Sequence, residues 1–98
     1  MNKFESIAEK ASKAEGLLKV LANANRLTIL CHLIQSPATV GELVEKIGLS
    51  QSAVSQHLAK LKELEVVEFH KSGKEVTYQV CSMEVNAIMS VIYLIYCK

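Results

Sequence analysis

The chain has 98 residues, half of them hydrophobic, and 11 lysines and arginines against 10 aspartates and glutamates give a formal charge of +1. That length suits one domain and leaves no room for a second. One proline, four glycines and no low-complexity tract exclude a disordered tail or linker, and the near-neutral charge means that any nucleic-acid role must rest on geometry rather than bulk attraction.

Residues 3 to 22 place Phe4, Ile7, Ala8, Ala11, Ala14, Leu18 and Leu21 at the three-and-four spacing of one helical face, which predicts a first helix. Gly16 inside it costs about 1 kcal/mol relative to alanine. Asn23 suits the N-cap of a second helix, in which Leu27, Leu30, Cys31 and Ile34 share a face widened by Ile29 and Leu33 and which ends before Pro37. Thr39-Val-Gly-Glu42 then reads as a capping box opening a short third helix that Gly48 closes. Ser50 suits the cap of a fourth helix running to about Leu64, with Val54, His57, Leu58 and Leu61 inward. Its outward face, Ser52, Ser55, Gln56, Ala59, Lys60 and Glu63, is short-chained and polar.

After Glu65 the period changes to two. Val66, Val67 and Phe69 precede a Lys71-Ser72-Gly73-Lys74 turn, and Val76, Tyr78 and Val80 follow it in alternation, which predicts a β-hairpin over 66 to 80. Ser82 suits the cap of a last helix, Met83 to about Cys97, whose apolar residues cover nearly the whole circumference. Such a helix must be buried. A terminal helix of so short a chain points to a second subunit as its cover, the other reading being that it forms the domain's own centre. A chain of this size buries only about two-thirds of its unfolded surface, so dimerisation is also a gain in stability.

The expected fold is therefore mainly α with a β-hairpin wing, in the order α1-α2-α3-α4-β1-β2-α5, a homodimeric winged helix-turn-helix domain spanning 1 to 98. Its helix-turn-helix is 39 to 64, its wing 66 to 80, and its dimerisation helices 3 to 22 and 83 to 97. In this geometry the second helix of the motif enters the major groove, where Ser and Gln can donate to and accept from base edges. Lys60 suits a phosphate, and Lys71 and Lys74 on the wing would reach flanking phosphate or minor groove. Between residues 50 and 75, however, Lys60, Lys62, Lys71 and Lys74 are balanced by Glu63, Glu65, Glu68 and Glu75. A polar helix face and a lysine-bearing turn are each, taken alone, ordinary solvated surface, and it is their order along the chain that points to DNA.

The longest apolar run, Ala87 to Cys97, is 11 residues interrupted by Ser90, short of the roughly 17 to 25 that span a bilayer. With Lys3 and no apolar signal segment at the start, the expected location is the cytoplasm, without membrane contact. Cys31, Cys81 and Cys97 are odd in number and lack CxxC spacing, so neither a secreted disulfide framework nor a zinc knuckle is indicated. No nucleophile-base pair, phosphate-cradling glycine loop or carboxylate pair suggests an enzyme, and no cofactor is implied.

The run Leu21-Ala-Asn-Ala-Asn-Arg26-Leu27-Thr-Ile-Leu30-Cys31, then Val40-Gly-Glu-Leu43, then Leu49-Ser-Gln-Ser-Ala-Val-Ser-Gln-His-Leu58 and the hairpin resembles the ArsR/SmtB family of winged-helix repressors over essentially the whole chain. The resemblance implies a homodimer built from the first and last helices, readout of a palindromic double-stranded operator by the fourth helix, and regulation by a small inducer. It carries DNA contact onto Ser50, Gln51, Ser52, Ser55, Gln56 and Lys60, with Gln51, Ser52, Ser55 and Gln56 at base edges. His57 faces inward and is assigned to packing or a buried hydrogen bond. The chain departs from the family at Glu65, where a glycine often closes the recognition helix, and at His70-Lys71, where arginines are common, so phosphate affinity is expected to be modest.

Metal-sensing members carry cysteines in the third helix or histidine and carboxylate ligands along the last. Val40 to Ile47 has no cysteine and Met83 to Lys98 no histidine, so those sites are absent; a non-standard site from Cys31, Cys97 and His32 is the metal-responsive alternative. Instead Cys31 and Cys97, in their contexts Ile29-Leu30-Cys31-His32 and Leu94-Ile95-Tyr96-Cys97-Lys98, resemble the BigR, SqrR and HlyU-like subgroup. That resemblance implies a thiol pair that answers persulfide, other sulfane sulfur or oxidants with a disulfide or polysulfide bridge. Since a disulfide needs Cα atoms within roughly 7 Å, closing it is expected to tilt or translate the helices unless they already lie that close. Such a shift would spoil the match between two reading helices and the ~34 Å DNA repeat. Against this, Cys31 on an apolar face reads equally as a small buried hydrophobe. Cys81, 16 residues before Cys97 and so about 24 Å away along one helix, is assigned no role. A winged-helix protein-interaction module is the remaining alternative, motivated by the near-neutral charge.

Overall fold

A computed structural model describes residues 6 to 98, in the order α1 (Ile7–Leu21), α2 (Ala24–Leu33), α3 (Val40–Ile47), α4 (Gln51–Glu63), β1 (Val67–Ser72), β2 (Glu75–Val80), α5 (Met83–Ile92), followed by a π-helical turn, Tyr93–Cys97. This is the expected winged helix-turn-helix order. Residues 3 to 5 of the expected first helix, with Phe4, lie outside the described residues. Among the described residues α1 opens at Ile7, where Ser6 is extended and its hydroxyl accepts the Glu9 N–H at 3.1 Å, making Ser6 the N-cap.

The remaining helix starts follow from side chains that satisfy otherwise orphaned N–H groups. Asn23 accepts from the Arg26 N–H at 3.0 Å, Ser50 from Ala53 at 3.1 Å and Ser82 from Val85 at 3.2 Å. At α3 the box is reciprocal: the Glu42 N–H donates to the Thr39 hydroxyl and the Thr39 N–H donates to the Glu42 carboxylate at 2.8 Å. These contacts, the Thr39 backbone N–H first and its hydroxyl second, hold the Glu42 carboxyl below the usual carboxylate range. Gly48, with φ of 84°, ends α3 in the left-handed conformation.

The end of α4 is less usual. Glu65 has φ of 61°, the Glu65 N–H donates to the Lys62 carbonyl at 3.0 Å, and the Val66 N–H donates to Leu61 at 2.9 Å. That is a Schellman closure with a glutamate where glycine is preferred, sealed by the buried pair Leu61 and Val66. The chain then leaves in the direction of β1.

The two strands pair antiparallel from Val67 opposite Val80 to Ser72 opposite Glu75. The turn is therefore two residues, Gly73-Lys74, shorter than the four expected, and Lys71 lies within β1. Gly73, with φ of 64°, supplies the positive angle at the first turn position that lets the strands continue to the tip. A contact outside the sequence reading joins the wing to the rest: Ala38 and Tyr78 exchange backbone hydrogen bonds of 3.1 and 2.8 Å, so the segment entering α3 docks on β2.

The core gathers Ile29 and Leu30 of α2, Leu43 of α3, Val54, Leu58 and Leu61 of α4, Val67 of β1, and Val85 and Met89 of α5, all essentially without solvent contact. From α1 only Leu21 is buried, with Leu17 and Val20 at the edge, so α1 extends away from the body and the described residues measure 47 × 29 × 20 Å. The last helix is covered along one side only. Val91, Leu94 and Ile95 remain more than half exposed. The expectation of one regular helix from Met83 to Cys97 is also corrected: its last turn widens to π geometry, which adds a residue to the turn and rotates every later side chain away from its regular α-helical direction.

Two outcomes follow from the capping geometry. Glu65→Gly relieves the left-handed conformation of a residue with a Cβ, offset in part by the greater unfolded-state freedom of glycine, and is expected to raise stability by about 0.5 kcal/mol in urea unfolding; a decrease would contradict the Schellman assignment. Because the folded-state pKa of Glu42 is depressed, its contribution is complete above its unfolded value of about 4.3 and is lost as pH falls through the lower folded value. The stability gap between wild type and Glu42→Gln should therefore be present at neutral pH and close in acid.

Candidate DNA-reading face and thiol pair

Burial of Val54, Leu58 and Leu61 along one side of α4 forces the opposite side outward. Gln51, Ser52, Ser55, Gln56 and Lys60 are all exposed there, and Ser50 is exposed at the cap. Ser50 accepts the Ala53 N–H, while the N–H groups of Gln51 and Ser52 belong to the first helical turn, which has no intrahelical acceptors. Lys60 lies 4.0 Å from Glu63, both well solvated, a pairing too weak to hold it. His57 is half-buried between the two sides.

The wing stands next to this helix. Lys62 of α4 sits 5.1 Å from the centre of the Phe69 ring, and Phe69 packs tilted on Tyr78 with ring centres 5.8 Å apart. On the neighbouring surface the Gln79 amide donates to Glu68 at 2.7 Å and contacts the His70 ring at 3.1 Å. Lys71 and Lys74 are exposed near and at the hairpin tip. The sequence-derived polar residues therefore fall on two adjacent elements, the outward side of α4 and the tip of the hairpin.

The second arrangement lies on other elements. Cys31 is 8% exposed on the inward side of α2, whereas Cys97 is exposed at the end of the π-turn, and their sulfurs are 3.1 Å apart. Both are free thiols. Only about 1 Å separates this spacing from an S–S bond of roughly 2.05 Å, so bridging calls for a small displacement rather than a large one. Burial, then the hydrogen bond to Cys97 and its charge, push the Cys31 thiol up to about 12. Cys81 stands apart on the surface, where its thiol donates to the Glu65 carbonyl at 3.4 Å; burial first and the Glu68 carboxylate second raise its pKa.

A cavity of about 470 Å³ opens beside the thiol pair between α2 and the end of α5. Leu27, Ile92 and Tyr96 wall it, with Thr28, His32 and Gln35 on the α2 side. Of these, the sequence reading gave only His32 a candidate role at a site. The signal was present in outline: Leu27, Thr28, Cys31 and Gln35 recur at the spacing of one helix face. Tyr96 joins them from the widened turn. Among the described residues no three His, Cys, Asp or Glu side chains gather as metal ligands would, so Cys31, Cys97 and His32 acquire no such company. No helix among them is long and apolar enough to cross a membrane.

Residues 23–68 match the family model described as "Bacterial regulatory protein, arsR family". The chain is 40% identical over 95 residues to the transcriptional activator HlyU of Vibrio cholerae, covering 97% of this chain and 88% of that protein. A crystal structure of the transcriptional regulator HlyU from Vibrio vulnificus superposes with a TM-score of 0.89 at 43% identity, over 93% of this chain and 95% of that one. The transcriptional repressor BigR from Xylella fastidiosa superposes with a TM-score of 0.87 at 31% identity, over 93% and 90%. Identity at this level along nearly the whole chain, on a helix-turn-helix whose outward side is polar and whose hairpin stands beside it, settles the assignment: the chain belongs to the arsR family of bacterial regulatory proteins and is a winged helix-turn-helix transcriptional regulator.

Proposed function

We propose that the chain is a homodimeric, operator-binding repressor whose DNA affinity falls when Cys31 and Cys97 are bridged by reaction with persulfide, another sulfane sulfur species or an oxidant. The observation that carries this reading is the 3.1 Å approach of two thiols that lie 66 residues apart in the chain, one on a core helix and one on the terminal turn. A bridge there ties α2, which supports the reading motif, to the element that would form the dimer contact.

The dimer is supported by the apolar surface that α5 and its terminal turn leave open at Val91, Leu94 and Ile95, together with Ile7 and Leu18 on α1. Two copies joined there would present two α4 helices, and the half-site spacing of an operator then becomes a property of the dimer contact. Gln51, Ser52, Ser55 and Gln56 are assigned to base edges, Ser50 and Lys60 to phosphate, and Lys71 and Lys74 to flanking phosphate or minor groove. The coupling works through small displacements. Two S–S bonds of about 2.05 Å meeting near the tetrahedral angle span roughly 3.3 Å, so a trisulfide suits the present spacing while a disulfide pulls the sulfurs together and a longer chain pushes them apart. Either departure is delivered to α2 and the terminal turn, and packed interfaces answer such shifts by switching arrangement rather than by bending.

Two experiments test this. In titrations of operator DNA, Gln56→Ala should weaken binding by about 1–3 kcal/mol and relax preference at one base pair, whereas Lys74→Ala should weaken all sequences alike and reduce the salt slope by about 1. A protein-interaction module would show neither effect and no salt-dependent retention. Separately, persulfide treatment should lower the affinity of the wild-type dimer by about tenfold or more, a coupling of at least ~1.4 kcal/mol, and this response should vanish in Cys31→Ser and in Cys97→Ser. Unchanged binding by the treated wild type would count against the switch.

A further inference from the structure

The geometry points to the cavity beside Cys31 and Cys97 as the place where the inducer is taken in, and to a small organic hydropersulfide, R–S–SH with an uncharged apolar R group, as the class of molecule it selects, meeting Cys97 first. This inference rests on the thiol-switch reading and adds to it the order of reaction and the chemistry of the substituent.

The order follows from position. Cys97 is exposed at the cavity rim while Cys31 is 8% exposed behind it, so an incoming sulfur reaches Cys97 before it can reach Cys31. Cys31 keeps its proton well above neutral pH because burial disfavours its thiolate. At 3.1 Å its sulfur is placed to act second, on the sulfur that Cys97 has already taken up.

The selectivity follows from the lining. Leu27, Ile92 and the Tyr96 ring offer apolar wall, and at about 470 Å³ the space is of the size that holds a small organic molecule. The polar groups are neutral and partly used: the Thr28 hydroxyl donates to the Ala24 carbonyl at 2.8 Å, and the Gln35 amide donates to the Cys31 carbonyl at 3.0 Å. Among the described residues no lysine, arginine, aspartate or glutamate lines the cavity, and of the lining side chains named there only His32 can carry positive charge. A substituent with carboxylates, such as that of glutathione persulfide, would therefore lose water without gaining a dedicated cationic partner. An alkyl or benzyl group would exchange water for Leu27 and Ile92.

The chemistry balances. The Cys97 thiolate attacks the terminal sulfur of R–S–SH, forming one S–S bond as the reagent's own S–S bond breaks, and leaves Cys97–S–SH and RS⁻, which takes up a proton to depart as RSH. The Cys31 sulfur then attacks Cys97 Sγ and expels hydrosulfide, which departs as H₂S with the Cys31 proton. Two thiol sulfurs are oxidised to a disulfide and the sulfane sulfur is reduced to sulfide. A second hydropersulfide reacting before closure gives up its terminal sulfur as its S–S bond breaks, releasing a second RSH and lengthening Cys97–S–SH to Cys97–S–S–SH; attack of Cys31 on the middle sulfur then expels H₂S and leaves a trisulfide.

The test uses the whole reduced protein and its own internal standard, since Cys81 is exposed away from this cavity. Persulfidation at Cys97 and Cys81 is followed by mass spectrometry with benzyl hydropersulfide and with glutathione persulfide at equal concentration. The ratio of Cys97 to Cys81 rates should be about tenfold higher, or more, for the benzyl reagent. In Thr28→Lys, which adds a cation at an exposed lining position, that preference should shrink as glutathione persulfide gains at Cys97. Cys31→Ser should still accumulate Cys97–S–SH, while Cys97→Ser should leave Cys31 slow. Equal ratios for the two reagents, or a preference for the charged one, would overturn the selectivity with the thiol switch intact. Wild-type reaction rates at Cys31 in Cys97→Ser would overturn the order. Modification confined to Cys81 with either reagent would overturn the switch reading itself.

Discussion

The packing of Val54, Leu58 and Leu61 against Ile29, Leu30 and Leu43 is the contact on which the rest of the molecule depends. These side chains have essentially no solvent contact, and truncating any one of them to alanine in such a setting typically costs about 1–5 kcal/mol. Their burial holds α4 in azimuth, and the azimuth of α4 decides which polar residues face outward. A rotation of one residue, about 100° on an α-helix, would turn Ser52, Ser55 and Gln56 away from the outward side and set other side chains in their place. Under the proposed function, recognition chemistry is thus the reverse side of a core contact.

The same core helix, α2, carries the thiol. Cys31 belongs to the buried cluster that includes Ile29, Leu30 and Leu33, so a change in what its sulfur is bonded to is felt by close-packed apolar neighbours. Cys97 reaches it from the exposed end of the chain's last helix. The core helix α2 and the terminal turn therefore meet at one pair of free sulfurs, in a molecule whose outer apolar surface on α5 and α1 calls for a partner under the proposed reading. The wing is fastened separately, through the Ala38–Tyr78 backbone pair and the Lys62–Phe69–Tyr78 stack.

Under the proposed function, charge plays a smaller part than in most nucleic-acid interfaces. With a formal charge of +1 and glutamates interleaved with the lysines of α4 and the wing, sequence-independent attraction to phosphate is limited. Under the proposed function the burden of discrimination falls on the serine and glutamine side chains, and the affinity of the pair of subunits falls on how well their spacing matches the groove.

Much of this was legible before any coordinates. Capping side chains at Asn23, Thr39, Ser50 and Ser82, the glycine at 48 and the change of apolar period after Glu65 are local signals. Each acts through hydrogen bonds or backbone angles within a few residues, so each element could be read from its own neighbourhood. The outward polar side of α4 was legible for the same reason, as the complement of an apolar row. What only the tertiary structure decided depends on residues far apart in sequence: the Ala38–Tyr78 pairing, the one-sided cover of α5, and above all the distance between Cys31 and Cys97. Helical periodicity placed Cys97 as though its helix were regular to the end. The widened turn at Tyr93–Cys97 breaks that periodicity, and whether its sulfur meets α2 is set by the packing of two elements against each other, which no local pattern encodes.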